Sequence, residues 1–223
     1  MGLTNMNDSN DSPISISTQA LERMPYYLQH LKQLQKEGVS IIASPAIAAD
    51  LSLNEVQVRK DLAAVSTLKG KPKSGFVISD LIYNMEDILG YHNVKDAVLV
   101  GAGYLGSALL SYKGFDSCGM HIVTAFDIND TIIGTEICGK KVLPVNKLSG
   151  ICRRMNIHIG IIAVPEDQAQ TVCDQLVAGG IMAIWNFAPI HLNTPETIMV
   201  KSENMAASLA ILSKHLQEKI KQW

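Results

Sequence analysis

Ala97-Val98-Leu99-Val100 runs directly into Gly101-Ala102-Gly103-Tyr104-Leu105-Gly106, and no other segment narrows the possible folds so far. A short continuous apolar run is what a parallel strand buried on both faces presents. The glycines stand at the spacing G-x-G-x-x-G. In that pattern the first permits a tight turn, the second lets a ligand approach the backbone, and the third lets a helix pack against the strand. The spacing predicts a helix from about Leu105 to Tyr112. Its free N-terminal N–H groups and positive dipole end suit a pyrophosphate. Gly101, Ala102, Gly103, Tyr104, Leu105 and Gly106 are therefore candidate cofactor contacts.

The next apolar run, His121 to Phe126, ends in Asp127, 21 residues after Gly106. A carboxylate at that distance is placed to accept hydrogen bonds from an adenosine ribose 2′-hydroxyl. It disfavours a 2′-phosphate, so the expected cofactors are NADH and NAD+ rather than their phosphorylated counterparts. Further buried strands are predicted at Ile159 to Val164 and Ile181 to Trp185. Ligands of such folds bind outside the carboxyl ends of the strands, which adds Ala163, Val164, Pro165, Asn186, Phe187 and Ala188. Tyr112, at the end of the helix after the glycine loop, is a candidate to face the nicotinamide.

The part before this unit reads differently. Leu21, Met24, Leu28, Leu31 and Leu34 recur at three or four residues, an amphipathic helix stripe. Ser44-Pro45 reads as a cap with proline at the first helical position. Ser52-Leu53-Asn54-Glu55 reads as a capping box opening a helix from Leu53 to about Val65. Two short helices joined by a tight turn have helix-turn-helix spacing. On the second, Val58, Leu62 and Val65 share one face, while Gln57, Arg59 and Lys60 lie away from it, suited to a major groove. Lys69, Lys71 and Lys73 follow in a loop punctuated by glycine and proline, in the position of a wing, and a helix from Ile78 to Leu89 closes the unit. From Leu53 to Phe76 five basic residues stand against two acidic ones, although the whole chain carries a formal charge of −2. The candidate contacts to double-stranded DNA are Ser44, Asn54, Gln57, Arg59, Lys60, Lys69, Lys71 and Lys73.

Hydrophobic residues make up 47% of the chain and charged residues 18%, enough to bury a core. No apolar run reaches the roughly 18–20 residues that span a bilayer, so no membrane partner is expected. Met1 to Ser17 lacks a basic-then-apolar signal pattern and reads as a loose tail on a cytoplasmic protein. The four cysteines form no C-x-x-C pair and the histidines show no metal-ligand spacing. At the other end, Met205, Leu209, Leu212, Leu216 and Ile220 form a narrow stripe that needs a partner surface. It could pack on its own sheet or cross to a second subunit. A homodimer is the expectation, and it suits a helix-turn-helix protein reading two half-sites.

The chain resembles the Rex family of bacterial redox-sensing transcriptional repressors. The resemblance runs from about Ser17 to the C-terminus. It rests on Glu22-Arg-Met-Pro-Tyr-Tyr27, Val58-Arg-Lys-Asp-Leu62, Gly101 to Gly106, Tyr112-Lys-Gly-Phe115, Ala125-Phe-Asp127, Ile161-Ile-Ala-Val-Pro165 and Asn186-Phe-Ala-Pro189. It implies an α/β chain with a flexible tail (1–16), a winged helix-turn-helix DNA-binding domain (17–93), a Rossmann NAD(H)-binding domain (94–200) and a C-terminal helix swapped between the subunits of a homodimer (201–223). It also implies no catalytic residue: operator DNA is bound when NADH is low and released when NADH rises. Two departures stand out. The segment Lys69 to Phe76 differs from the Phe-Gly-rich wing of many members. Gln29 and Asn204 occupy positions that carry Arg and Asp in some members, so hydrogen-bonding capacity is kept and an ion pair is lost.

Two other readings compete. A small NAD-dependent dehydrogenase would need a substrate domain and an acid–base residue near the nicotinamide, and only one helix follows Val200. A CoA- or nucleotide-binding subunit of a larger complex is the third.

Overall fold

The computed structural model describes residues 16–66, 75–93 and 95–221. The chain divides into two compact units, Met1–His92 and Asn93–Trp223.

The first unit opens with α1, Thr18–Lys36, capped by Ser17, whose hydroxyl accepts from the Ala20 N–H at 3.2 Å. Pro25 lies inside it without ending it. After β1 (Ile41–Ile42) come α2 (Ser44–Asp50), α3 (Glu55–Val65), β2 (Phe76–Val77) and α4 (Ile78–Ile88). β1 and β2 pair antiparallel, with Ile41 opposite Val77 and Ile42 opposite Phe76. Four helices with a small two-stranded ribbon supply the elements of a winged helix. The core joins Met24, Leu28 and Leu31 of α1 to Ile47, Val58, Leu62, Leu81 and Met85. Leu62 is fully buried, and its truncation to alanine is expected to cost about 2–5 kcal/mol.

Two helix starts differ from the sequence reading. α2 begins at Ser44 itself, with Ala43 as cap and no side-chain capping bond. α3 begins at Glu55, because the capping oxygen belongs to Asn54, which accepts from the Gln57 N–H at 3.2 Å. Ser52 has a left-handed backbone (φ 53°) and belongs to the turn between the helices.

The second unit is built on β3 (Lys95–Val100), β4 (Met120–Asp127), β5 (Glu136–Ile137), β6 (Lys140–Pro144), β7 (Ile159–Ile162), β8 (Ala183–Asn186) and β9 (Met199–Ser202). α5 (Tyr104–Ser111), α6 (Gly114–Ser117), α7 (Leu148–Met155), α8 (Glu166–Ala178) and α9 (Met205–Ile220) complete it. The sheet order is β5-β6-β4-β3-β7-β8-β9. All pairs are parallel except β5 with β6. From the first strand the chain steps outward through β4 and β6, then crosses to β7 on the other side of β3. That reversal is the topological switch point of a Rossmann sheet. Alternation along β3 divides the core. Val98 and Val100 pack with Leu148, Cys152, Val172 and Leu176 of α7 and α8, while Ala97 and Leu99 pack with Leu110, Ile122 and Ala125 on the other face.

α9 is different from every other helix. Each of its residues is exposed, including Leu209 at 66% and Leu212 at 64%. Among the described residues of its own unit, its apolar stripe finds no cover. No helix among the described residues is long and apolar enough to cross a membrane.

Candidate functional site

The carboxyl ends of β3, β4 and β7 surround a hollow of about 230 Å³ lined by Gly101, Gly103, Asp127, Ala163, Val164 and Pro165, together with Val145, Gln168 and Val172. It lies at the switch point, where the Rossmann rule places a ligand. The glycines there do separate jobs. Gly101 has φ +95°, and a Cβ on it would stand 2.5 Å from the Ala163 carbonyl oxygen. A Cβ on Gly106 would run into the Gly101 carbonyl. Both are demanded by the packing of β3, β7 and α5. Gly103 is not: a Cβ there would meet no protein atom within 4 Å, and its φ of −68° is open to any residue. It forms the N-cap of α5 without a side-chain capping bond, so the helix end is left bare toward the hollow. Buried Ala102 belongs to the turn and half-buried Leu105 to the first turn of α5, where Tyr104 projects fully into solvent.

Asp127 closes the loop from the β4 side. Its Oδ2 accepts the Ala102 N–H at 2.7 Å, and its Oδ1 accepts the N–H groups of Ile128 and Asn129 at 2.8 and 2.9 Å. A carboxylate offers about four lone-pair sites, so capacity remains for a hydroxyl donor.

Other expected residues are arranged less directly. Asn186 is fully buried. Its amide donates to the carbonyls of Ala188 and Ile190 and to Ser202 Oγ, and its oxygen accepts the Ala188 N–H. Its side chain therefore holds the turn that carries half-buried Phe187 and buried Ala188. Tyr112 does not line the glycine-loop hollow. It follows the last turn of α5, 61% exposed, on a second hollow of about 420 Å³ with Lys113, Phe115, His121 and Lys140. A row of ring contacts nevertheless links it to the ends of the strands: Tyr112 to Phe115, Phe115 to Trp185, and Trp185 to Phe187, at 4.9, 5.6 and 4.7 Å. Trp185 Nε1 also donates to Glu203 at 3.2 Å, just before α9. Asn204 caps that helix, accepting the Ala207 N–H at 2.9 Å, and Gln29 is exposed on α1.

In the first unit, Gln57, Arg59 and Lys60 are exposed on α3. Asn54 is exposed too, with its oxygen engaged in the cap, whereas Ser44 is buried. Lys69, Lys71 and Lys73 lie outside the described residues. What the sequence reading missed is the anchor of α3. Asp61, only 3% exposed, accepts from Arg23 Nε and Nη2 at 2.8 and 3.1 Å, from the Tyr27 hydroxyl at 2.8 Å and from Gln57 Nε2 at 2.9 Å. Burial opposes its ionisation, but hydrogen bonds from Arg23, Tyr27 and Gln57 prevail and hold its carboxyl below the usual aspartate range. Burial, then the bond to Asp61, pushes the Tyr27 hydroxyl up to about 12. An acid three residues after Val58 and four before Val65, on the apolar stripe of α3, was the signal available in the sequence.

Of the cysteines, Cys152 and Cys173 are buried and Cys138 is exposed. Burial raises both buried thiols, Cys152 to about 11. No cluster among the described residues could hold a metal ion.

A winged helix followed by a Rossmann unit with an open glycine loop defines a two-domain α/β protein built around a nucleotide-type site. Comparison with known proteins agrees. Residues 92–190 match a family model described as CoA binding domain, and residues 15–63 match one described as "Putative DNA-binding protein N-terminus". The redox-sensing transcriptional repressor Rex of Bacteroides fragilis is 36% identical over 88% of this chain and 89% of its own length. That of Carboxydothermus hydrogenoformans is 39% identical over 88% and 94%. Among solved structures, RSP, a Rex-family repressor, in complex with β-NAD+ and operator DNA superposes with a TM-score of 0.86 at 32% identity, covering 92% of this chain and 94% of that one. The same repressor with β-NADH gives 0.82, covering 92% and 95%. The chain belongs to the Rex family of redox-sensing transcriptional repressors. These relatives are named as repressors and not as enzymes, so the dehydrogenase reading has no support among them.

Proposed function

We propose that this protein is a cytoplasmic, homodimeric repressor that holds operator DNA when NADH is scarce and releases it on binding NADH. The observation that carries the reading is Gly103. Its backbone is unstrained and a methyl group there would touch no protein atom, so the fold does not require glycine. A ligand passing close over the loop does. Gly101 to Gly106 and the bare end of α5 would hold the pyrophosphate. Asp127 would accept from the adenosine ribose, and Ala163, Val164 and Pro165 would wall the hollow. Phe187 and Ala188, on the turn shaped by Asn186, would border the nicotinamide end, with Tyr112 reaching it through the aromatic row. NADH serves here as a signal, and none of its redox chemistry is required. Exposed Gln57, Arg59 and Lys60, with Lys69, Lys71 and Lys73 of the wing segment, would meet DNA. Asn54 lies at the same end of α3, and Ser44 would support it from within. The uncovered stripe of α9 would be buried on a second copy. RSP, 32% identical to this chain, carries both NAD+ with operator DNA and NADH, which supports two liganded states.

The test pairs two substitutions in the full-length protein. Gly103→Ala should leave the melting temperature unchanged and weaken NADH binding at least about ten-fold, since only ligand approach is obstructed. Gly106→Ala should lower the melting temperature itself. Fluorescence anisotropy of operator fragments, with NAD+ and NADH titrated separately at fixed salt, should show release by NADH, and operator DNA should weaken NADH binding by the same factor. Operator affinity indifferent to NADH would end this reading.

A further inference from the structure

Gln57 and Asp61 lie four residues apart on α3, on adjacent turns of one face. Asp61 is immobile. It is buried, and Arg23 and Tyr27 of α1 hold both of its oxygens. Its Oδ1 also takes the Gln57 Nε2 at 2.9 Å. An ionised carboxylate accepts hydrogen bonds and donates none. The Gln57 amide can therefore turn only its nitrogen toward Asp61, because the reverse orientation would set two acceptor oxygens against each other. A free glutamine amide flips easily, but this one has a set polarity. Its Oε1 and its second Nε2 hydrogen are left for whatever α3 meets.

Resting on the operator-binding reading above, we propose that Gln57 is the side chain of α3 that selects an adenine in the major groove, and that Asp61 is the positioning residue that sets this choice. Adenine presents an N6–H donor beside the N7 acceptor, the pattern an outward Oε1 with an Nε2 hydrogen completes. Guanine presents two acceptors, N7 and O6, so O6 would face Oε1. Thymine presents an acceptor and a methyl group, and cytosine a single donor. A glutamine free to flip would tolerate guanine by offering its amide nitrogen to O6. Asp61 removes that option. Gln57 is three residues into α3, the end of a recognition helix that meets base edges. Arg59 and Lys60 beside it supply positive charge without this acceptor–donor pair.

The experiment is selection of binding sites from randomised duplexes by the full-length protein and its variants. Anisotropy then follows on duplexes carrying adenine, guanine or purine at each selected adenine. The wild type should prefer adenine over guanine at one position per half-site by about ten-fold or more, and purine, lacking N6, should lose most of that preference. Gln57→Ala should reduce the adenine preference there to within two-fold and leave the rest of the site intact. Gln57→Glu, which can only accept, should move the preference to cytosine. Asp61→Asn frees the amide to flip and should admit guanine. Tyr27→Phe, which spares the bond to Gln57, should leave the adenine-to-guanine ratio unchanged. A Gln57→Ala protein that selects the same site with the same ratio overturns the assignment while operator binding stands. An Asp61→Asn protein that weakens all duplexes equally overturns the role of Asp61. If that variant does not fold, Asp61→Ser, whose hydroxyl can donate as well as accept and so no longer fixes the amide, should admit guanine, and an unchanged ratio there overturns the role of Asp61. A wild type that selects no site overturns this inference and the operator reading together.

Discussion

Two aspartates, one in each unit, show opposite ways of holding a carboxylate. Asp61 is held by side chains alone: a guanidinium and a phenol from α1 and an amide from its own helix. Asp127 is held by the backbone N–H groups of Ala102, Ile128 and Asn129. Side-chain donors join elements far apart in sequence, and they vanish when one residue changes. Backbone donors persist under almost any substitution, and they are local or come from the loop being shaped. The first arrangement fixes one helix on another. The second leaves a partly exposed acceptor beside a glycine loop. Closure fixes an orientation, and openness leaves an acceptor accessible.

The sharpest way to break this contrast is to remove each carboxylate. Asp61→Ala leaves Arg23 and Tyr27 facing a pocket with no acceptor. The cost is expected to be about 3 kcal/mol, toward the lower end for a broken buried pair because the Arg23 side chain remains 25% exposed. It should appear as faster hydrogen exchange in α1 and α3. If exchange is unchanged there, Asp61 is not the anchor of α3.

Asp127→Asn keeps one acceptor oxygen and sets an NH2 against the N–H donors at the other, so unfolding stability should fall by about 1–3 kcal/mol. The ligand preference changes too. Without the negative charge, the preference for NADH over its 2′-phosphorylated form should fall about ten-fold, read by parallel titrations of the two nucleotides. An unchanged ratio would show that Asp127 only braces the loop.

The response to pH belongs to the first unit. The folded Asp61 carboxyl titrates below its ordinary value, so its contribution is full above about pH 4 and is lost as pH falls through the lower folded value. Tyr27 runs the other way. Its folded value of about 12 exceeds the ordinary value near 10. Its contribution is full below about pH 10 and is lost between about 10 and 12. A stability profile of Tyr27→Phe that keeps the alkaline loss of the wild type would contradict this account.

The candidate site was legible where its signals are local. The glycine triplet, the acid ending the next strand and the stripe of α9 each depend on residues within a few turns of one another. Helix starts were less legible, since Ser52 and Asn54 both suit a cap. The left-handed backbone at Ser52 awards the role to Asn54. Strands β5, β6 and β9 are two to five residues long, too short for a clear alternation, and they are defined only by their neighbours. Sequence distance along α5 does not tell which hollow the Tyr112 ring borders.

By itself, the sequence determined that a buried strand must turn on Gly101 into a helix, that an acid closes the next strand, and that α9 needs a partner. Those follow from side-chain period, glycine geometry and charge, all of which act along the chain. Only the tertiary structure decided that β7 crosses to the far side of β3 and brings Ala163 against Gly101. It alone set Arg23 on Asp61, 38 residues away. Strand order and buried pairing come from how sheets and helices share one core, and no local period encodes them.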